Sequence, residues 1–327
     1  MKVLVHVSSR VKAWSIPDSH IDVLRTAFRD AEFLHARTYE HAEELIRDAD
    51  VAFAPILTHE MVTSAPRLKW VHSSAAAVEG LLPLTTLAKR EITITNSRGI
   101  QAVAIAEHAM GGLLVLSHKF NRTLEAQRAR SWIQNELACD WPWLLDGRNM
   151  TIVGLGTIGL EVARRASAFG MRISGVRRRA HESVPPFVER VVGPDDIDAV
   201  LRGCDVLVVA APGLPATTKL IRAEHIALLN AGAVIVNVAR AQIVDERAMT
   251  RALESGRLGG AVLDVFDEEP LDPASRLWDF PNVVITPHSS GFRASHWDDV
   301  TALFAENLRR YISGQPLKNV VDAAAGY

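Results

Sequence analysis

The chain has 327 residues, and at roughly 100–200 residues per domain this length predicts two domains. Hydrophobic residues make up 48% of the sequence and charged residues 23%, as in ordinary globular proteins, and the net charge of −2 gives no electrostatic reason to expect nucleic acid or an anionic membrane as a partner. Two cysteines without metal-ligand spacing, no signal peptide and no apolar run of ~18 residues predict a cytoplasmic protein with no disulfide framework and no metal site.

The first hundred residues alternate between short apolar runs and amphipathic stretches. The apolar runs predict buried strands at residues 3–7, 51–56, 68–71 and 92–95. The amphipathic stretches predict helices at residues 21–28 and 42–46; Pro17 and Asp18 open the first of these, and Thr58 caps a further short helix. Such alternation is typical of a small α/β domain built on a parallel sheet.

A run of small residues at 73–80 follows the strand predicted at 68–71. At the carboxyl edge of a parallel sheet, such a run can present backbone amides to a ligand. A tightly packed small-residue turn explains the composition equally well, so both interpretations stand at this point.

Residues 101–124 carry apolar side chains at helical spacing around much of the helix, which predicts one long buried helix. The loop predicted at 131–145 contains Trp132, Trp141 and Trp143. Tryptophans clustered beside a buried helix favour an interface or a pocket wall, and packing within the chain competes closely with both.

Residues 150–176 predict a strand, a tight turn, a helix and a second strand, with three glycines at the turn. Gly154 permits the turn, Gly156 lets a pyrophosphate approach the backbone, and Gly159 lets the helix pack closely on the sheet. The first helical residues, Thr157 and Ile158, then offer free amides to phosphate. The pattern predicts a dinucleotide site, and the competing interpretation is a glycine-rich turn that binds nothing.

Arginines 177–179 end the second strand of this unit, where a carboxylate that binds the ribose 2′-hydroxyl is expected. Arginine at this position favours a 2′-phosphate, so Arg177 and Arg178 predict a preference for NADP(H), while the use of NAD(H) stays open. The competing interpretation is a solvated basic edge that binds no phosphate.

Beyond residue 200 the α/β alternation resumes, with strands predicted at 205–210, 234–238, 260–265 and 283–285 and helices at 223–229 and 248–255. The last three strands lead into Arg240, Glu269 and His288. Because the carboxyl ends of parallel strands share one edge, these side chains are predicted to converge on the crevice into which the glycine turn opens. Taken singly, each is more often a surface charge or a capped loop residue.

Four motifs in this order carry a resemblance to the D-isomer-specific 2-hydroxyacid dehydrogenase family, in its glyoxylate and hydroxypyruvate reductase branch. They are Gly-Leu-Gly-Thr-Ile-Gly from 154, Asn-Val-Ala-Arg from 237, Asp-Val-Phe-Asp-Glu-Glu-Pro from 264 and Thr-Pro-His from 286. The resemblance implies two Rossmann-like, doubly wound parallel-sheet α/β domains. A flavodoxin-like substrate domain is expected at 1–98 and 290–327, closed by a C-terminal helix, and an NAD(P)-binding domain at 99–289. A homodimer formed through the NAD(P)-binding domains is also implied.

The resemblance implies that Arg240, Glu269 and His288 are catalytic and that backbone amides near Ala76 and Ala77 hold the substrate carboxylate. Hydride transfer to C2 of a 2-keto acid leaves charge on the carbonyl oxygen, so the site must supply a proton and hold the substrate in register. His288 would donate the proton, Glu269 would fix its ring, and Arg240 would bridge carbonyl and carboxylate oxygens. The predicted function is NADPH-preferring reduction of small 2-keto acids to D-2-hydroxy acids.

Further cofactor contacts are expected at Pro212, Ala239 and Asp264, the last beside the nicotinamide carboxamide. The sequence departs from the family pattern at four places, which are Ala75 with Ala77, Arg177, Leu214 and Ala241. The alanines at 75 and 77 replace glycines, which suggests a narrower pocket.

A nucleotide-sensing binding protein on the same scaffold, resembling transcriptional corepressors that keep the catalytic residues, is the alternative function. Turnover of glyoxylate with a reduced nicotinamide would distinguish the two. Phe292, Arg293 and Trp297 are candidates to line the substrate pocket, although Arg293 fits better as a solvated residue at a helix start.

Overall fold

The chain divides into two compact units in the computed structural model, which describes residues 1–78 and 82–323. The terminal unit comprises Met1–Ile100 and Arg293–Tyr327, and the central unit comprises Gln101–Phe292. Each unit contains one parallel sheet with helices, as the sequence predicted. The assignment of the two units to substrate and dinucleotide stays a prediction.

Residues 79–81 and 324–327 lie outside the described part of the chain. Glu79 and Gly80 of the predicted small-residue loop fall there, as does the end of the predicted segment 290–327. None of the helices in the described part has the length and apolar composition that crossing a bilayer requires.

The described residues of the terminal unit form five strands, which are β1 Lys2–Val5, β2 Glu32–His35, β3 Val51–Phe53, β4 Trp70–Ser73 and β5 Thr93–Asn96. All neighbouring pairs are parallel, and the order across the sheet is β2-β1-β3-β4-β5. Its first four α-helices are α1 Asp18–Ala27, α2 Tyr39–Leu45, α3 His59–Thr63 and α4 Leu84–Lys89. A helix at the end of the chain, His296–Ile312, packs against α1 and so returns the chain to this unit.

The central unit contains seven strands, which are β6 Asn149–Val153, β7 Arg172–Val176, β8 Val188–Val192, β9 Val206–Val209, β10 Ala233–Asn237, β11 Leu258–Leu263 and β12 Val283–Ile285. They are all parallel, in the order β12-β11-β10-β9-β6-β7-β8. The helices are α5 Ala102–Ser117, α6 Phe120–Arg128, α7 Gln134–Cys139, α8 Thr157–Ala168, α9 Asp198–Leu201, α10 Ala223–Leu228 and α11 Glu246–Glu254, so that the C-terminal helix is α12.

The predicted strands and helices are present with small shifts at their ends, and Thr58 caps α3 by accepting a hydrogen bond from the Met61 amide. The prediction of one continuous helix at 101–124 is wrong. The chain forms α5 and α6 instead, because Lys119 takes a left-handed conformation with φ of 57° between them. Strands β2 and β8 were not predicted, and the tryptophan loop contains α7.

The three tryptophans of residues 131–145 have different environments. Trp143 packs against the core of the central unit, and the guanidinium carbon of Arg148 lies 5.5 Å from its ring centroid. Trp132 and Trp141 are 86% and 75% exposed. Packing within the chain therefore accounts for one tryptophan of the three and leaves two apolar surfaces in solvent.

His72 is the most deeply buried titratable group in the core of the terminal unit. Its ring stands beside Phe53, Trp70 and Phe304 and is fully buried. The Thr95 hydroxyl accepts from Trp70 Nε1 at 2.8 Å and lies 2.7 Å from His72 Nδ1, to which we assign its proton. Burial lowers the pKa of His72 to about 3, because the apolar surroundings disfavour the charged ring.

Because His72 is buried, we expect the protein to become less stable as the pH is lowered. Unfolded histidine takes up a proton near pH 6.5, whereas native His72 does so only near pH 3, so the unfolded state binds more protons between these values. The free energy of unfolding should decrease as pH falls through this window and be greatest above it. Urea unfolding at a series of pH values measures this, and a His72→Gln variant should show a shallower decline. An equal decline in wild type and variant would contradict the prediction.

Candidate active site

The turn between β6 and α8 is shaped by two glycines that packing requires. Gly154 has φ of 102°, a conformation that L residues rarely adopt, and a Cβ there would lie 2.4 Å from the Ala211 nitrogen. A Cβ at Gly159 would lie 2.1 Å from the Gly154 carbonyl oxygen. The first turn of α8 therefore sits directly on the strand end, as the sequence predicted for a helix that packs closely on its sheet.

Gly156 differs from these two glycines because packing does not require it. A Cβ at this position would meet no atom within 4 Å. Gly156 is the N-cap of the twelve-residue helix α8, and Thr157 and Ile158 begin its first turn. A phosphate can approach the first amides of a helix closely when the residue before them has no side chain. Gly156, Thr157 and Ile158 therefore fit the pyrophosphate of a dinucleotide. Pro212 lies in the loop after β9, the strand beside β6, and Ala239 lies in the loop after β10, the next strand across the sheet.

The three arginines after β7 have different environments. Arg177 donates from Nη2 to the carbonyl oxygens of Glu182 and Ser183, its side chain is 15% exposed, and its Nε is buried without a hydrogen-bond partner. Arg178 is exposed at the end of the strand. Arg179 pairs with Glu182 at 2.9 Å. The Arg177 guanidinium thus closes the loop that follows β7, whereas Arg178 faces solvent.

Parallel register aligns the ends of β10, β11 and β12. Asn237 pairs with Leu263, and Leu263 pairs with Ile285, so the three strands end side by side. The buried Asn237 side chain accepts from the Ala239 amide at 3.2 Å and donates to the Arg240 carbonyl oxygen at 3.2 Å. These two hydrogen bonds fix the backbone that carries Arg240. The Arg240 guanidinium donates to the Ala239 carbonyl oxygen at 2.8 Å.

Glu269 and His288 form a hydrogen-bonded pair. His288 Nδ1 lies 2.8 Å from Glu269 Oε2, and since a carboxylate only accepts, the ring proton on this side belongs to Nδ1. The other carboxylate oxygen, Oε1, accepts from the Phe266 amide at 3.0 Å and holds the glutamate in place. The imidazole Nε2 is therefore left to face a ligand, and both side chains are partly exposed.

One cavity of about 190 Å³ contains all three predicted catalytic side chains. Its lining residues come from the segments that follow β10, β11 and β12: Arg240, Ala241, Gln242, Val265, Phe266, Asp267, Glu269 and His288. A cation, a carboxylate and an imidazole thus meet at the carboxyl edge of the sheet. Such a site can bind an oxyanion and transfer a proton to it.

Asp264 is completely buried directly after β11. Its Oδ1 accepts from the Thr286 hydroxyl at 2.6 Å and from the Ser289 amide at 2.9 Å, and Oδ2 accepts from the Ser290 amide at 3.0 Å. The carboxylate therefore holds the segment that carries His288. Its predicted contact with the nicotinamide carboxamide stays a prediction.

The predicted carboxylate-binding loop belongs to the terminal unit. The Asn96 side-chain Nδ2 donates to the Ala76 carbonyl oxygen at 2.6 Å, and the Ser97 backbone amide donates to the Ala75 carbonyl oxygen at 3.1 Å, so the loop is held by the end of β5. Ala76 is exposed and Ala77 half-buried. Of the candidate pocket residues, Arg293 pairs with Asp299 in the first turn of α12, as expected for a residue at a helix start.

A family model described as the D-isomer specific 2-hydroxyacid dehydrogenase NAD binding domain matches residues 110–290, more than half of the chain. The chain belongs to this dehydrogenase family. The family membership predicted from the four motifs is therefore confirmed, and with it an oxidoreductase; the matched residues lie within the central unit.

Relatives of this dehydrogenase include enzymes of two names. It is 31% identical to the glyoxylate reductase of Thermococcus onnurineus, over 92% of this chain and 91% of that protein. It is 29% identical to the D-3-phosphoglycerate dehydrogenase of Methanocaldococcus jannaschii over 90% of this chain, but spans only 55% of the length of that protein.

Solved structures share the fold over the whole length. A D-isomer specific 2-hydroxyacid dehydrogenase family protein from Aeromonas salmonicida has a TM-score of 0.82 at 32% identity, covering 98% of this chain and 99% of that one. An NADPH-dependent glyoxylate/hydroxypyruvate reductase from Sinorhizobium meliloti, solved with NADP and sulfate, has a TM-score of 0.80 at 26% identity, covering 100% and 99%.

Three residues that support the site of this dehydrogenase were not predicted from the sequence. Asn237 donates to the Arg240 carbonyl oxygen, and Thr286 donates to Asp264. Glu246, at the start of α11, accepts from the Asp267 amide at 3.1 Å. Burial raises the pKa of the Glu246 carboxyl. Asn237 and Thr286 stand within the quoted motifs, which was a usable signal, whereas nothing local marks Glu246. Within residues 1–78 and 82–323, no cluster of His, Cys, Asp or Glu could hold a metal.

Two glycine substitutions separate cofactor binding from folding. Gly156→Ala places a methyl group in open space, so its melting temperature should stay close to wild type while its affinity for NADPH falls about tenfold or more. Gly159→Ala forces the methyl group against the Gly154 carbonyl and should destabilise the protein by about 1–3 kcal/mol or more.

Thermal unfolding and titration of NADPH fluorescence measure the two effects. A Gly156→Ala variant that binds NADPH as tightly as wild type would show that the open space at the turn is not a phosphate site.

Proposed function

We propose that the protein is an NADPH-preferring reductase of small 2-keto acids of the glyoxylate and hydroxypyruvate type, producing D-2-hydroxy acids. The observation that carries this proposal is the 2.8 Å pair of His288 and Glu269 on the same cavity as Arg240, at the carboxyl edge of the sheet that bears the glycine turn. The names of the Thermococcus and Sinorhizobium proteins, a glyoxylate reductase and a glyoxylate/hydroxypyruvate reductase, support the substrate class.

His288 is assigned the proton transfer. When bound, the reduced nicotinamide supplies a hydride, and charge then develops on the substrate carbonyl oxygen. With Nδ1–H bonded to Glu269, the proton on Nε2 of the protonated ring is directed into the cavity, where the carbonyl oxygen receives it. Glu269 stabilises the imidazolium before transfer and keeps the ring oriented afterwards, because its own position is fixed by the Phe266 amide.

Arg240 is assigned the binding and polarisation of the substrate. Its guanidinium stays charged throughout the cycle and offers several N–H donors in one plane, which suits a carboxylate beside a carbonyl. Asn237 holds the backbone from which this side chain extends. The amides near Ala76 and Ala77 in the terminal unit are the proposed second set of donors for the substrate carboxylate.

His288→Ala should lower kcat for glyoxylate by about 10²- to 10⁴-fold, since the proton must then come from water. Glu269→Gln should lower it less, because the ring keeps Nε2 but loses the charge that stabilises imidazolium. Steady-state kinetics at several pH values measure both, with NADPH affinity as the control that should change little. A His288→Ala enzyme with near wild-type kcat would contradict the assignment.

Arg178 is the proposed contact for the 2′-phosphate of NADPH, and Arg177 is proposed to order the loop that follows it. Arg177 closes the loop by bonding to the carbonyl oxygens of Glu182 and Ser183, and Arg178, directly after it, is exposed. Both lie beyond the second strand of the βαβ unit, where the ribose is recognised in this fold. A charge-assisted hydrogen bond at this position favours NADPH over NADH.

Substitution by aspartate distinguishes the two arginines. Arg178→Asp should lower kcat/KM for NADPH about tenfold to a hundredfold, since one charge-assisted hydrogen bond contributes about 1.5–3 kcal/mol, while kcat/KM for NADH holds or rises. Arg177→Asp should impair both cofactors and lower the melting temperature, because the loop loses its closing contact. Wild type that prefers NADH, or an Arg178→Asp enzyme with an unaltered ratio, would contradict the proposal.

The exposed tryptophans support a homodimer formed through the central unit, as the family resemblance implies. Trp132, Trp141 and Leu144 are 86%, 75% and 64% exposed, and large apolar side chains so exposed are typical of protein interfaces. Sedimentation velocity of the purified chain, compared with a Trp132→Ser/Trp141→Ser double variant, tests this assembly.

A further inference from the structure

Thr286 anchors the segment that carries His288 through both its backbone and its side chain. The Thr286 amide donates to the Leu263 carbonyl oxygen at 3.0 Å, and its own carbonyl oxygen accepts from the His288 amide at 3.0 Å. Its hydroxyl donates to Asp264 at 2.6 Å. Thr286 therefore joins the end of β11, the buried carboxylate and the backbone of His288.

His288 needs such an anchor because its backbone is strained. Its φ is 51°, in the left-handed region that residues with a Cβ seldom adopt. The amides of the next two residues, Ser289 and Ser290, both donate to Asp264. The left-handed turn is thus held on both sides by the same carboxylate, through Thr286 before it and through the serine amides after it.

His108 extends this anchor to helix α5. Its Nε2 lies 2.9 Å from the Thr286 hydroxyl oxygen and 4.0 Å from Asp264 Oδ1. Since the hydroxyl gives its only proton to Asp264, it accepts from His108, so His108 Nε2 carries a proton. The Asp264 side chain is 1% exposed, and a buried carboxylate is stable only when donors surround it, which the Thr286 hydroxyl and the two serine amides provide; His108 in turn orients that hydroxyl.

We propose that Thr286 and His108 are positioning residues for the proton donor: they hold the Asp264 carboxylate, and through it the strained turn that aims His288 at the cavity. Neither side chain lines the cavity. Their effect is therefore expected on the rate of proton transfer and not on the affinity for the 2-keto acid. The inference rests on the proposed reductase function for its kinetic consequence, while the anchor itself is a property of the fold.

Matched substitutions at 286 isolate the hydroxyl. Thr286→Val keeps the shape and removes the proton that bonds to Asp264, whereas Thr286→Ser keeps it. Thr286→Val should lower kcat for glyoxylate about tenfold to a hundredfold, as a displacement of about 1 Å at a reacting group does, with KM for glyoxylate little changed. Thr286→Ser should retain most of the wild-type kcat.

His108→Gln and His108→Leu provide a second pair, because the glutamine amide can still donate to the Thr286 hydroxyl and leucine cannot. His108→Leu should therefore follow Thr286→Val in kcat, and His108→Gln should stay nearer to wild type. If Thr286→Val does not fold, the kcat values of the two His108 variants still test the proposal.

Hydrogen exchange supplies a readout that does not depend on turnover. Amides of the peptide containing Ser289 and Ser290 should exchange faster in Thr286→Val than in Thr286→Ser. Equal exchange in the two variants, or faster exchange with unchanged kcat in an active enzyme, would overturn the positioning role. If wild type reduces no 2-keto acid, the proposed function fails, and the exchange comparison alone then upholds or overturns the anchor.

Discussion

Parallel hydrogen bonding between β10, β11 and β12 is the constraint on which the candidate site depends. In these strands Asn237, Leu263 and Ile285 share one level of the ladder, so the residues that follow them leave the sheet together. Arg240 and Asp264 come from the first two ends, and His288 from the third. Residues separated by almost fifty positions in sequence thus line one cavity, because the ladder leaves the segments after the strands no other edge.

The sequence predicted those features that depend on a single strand or helix. Buried strands, the glycine turn and the three strand-end side chains follow from local composition and from the rule that parallel strands share an edge. Strand β8 was missed because the segment Val188–Val192 includes two charged residues. It lies at the edge of the sheet and has a neighbouring strand on one side only. The break at Lys119 was missed because apolar residues continue at helical spacing through it.

What could not be predicted depends on where side chains point. Arg177 and Arg178 are identical in sequence terms, yet the first is partly buried with its guanidinium on loop carbonyl oxygens, whereas the second is an exposed residue. In the same way, the family resemblance implied a cofactor contact for Asp264. In the structure its carboxylate accepts hydrogen bonds from a hydroxyl and two backbone amides. Whether its partners are near in sequence, as for Arg177, or distant, as for Asp264, the direction of each side chain is determined only in the folded chain.

The three glycines of the turn are under different constraints, and this bears on how the chain can diverge. Gly154 and Gly159 are required by the backbone itself, since a methyl group at either would lie within 2.4 Å of a neighbouring main-chain atom. Gly156 has open space around it and is required only by what approaches from outside. In a descendant that no longer bound a dinucleotide, selection would continue to preserve the first and third glycines. The second would be the first to drift, so residue 156 alone would record the loss of the ligand.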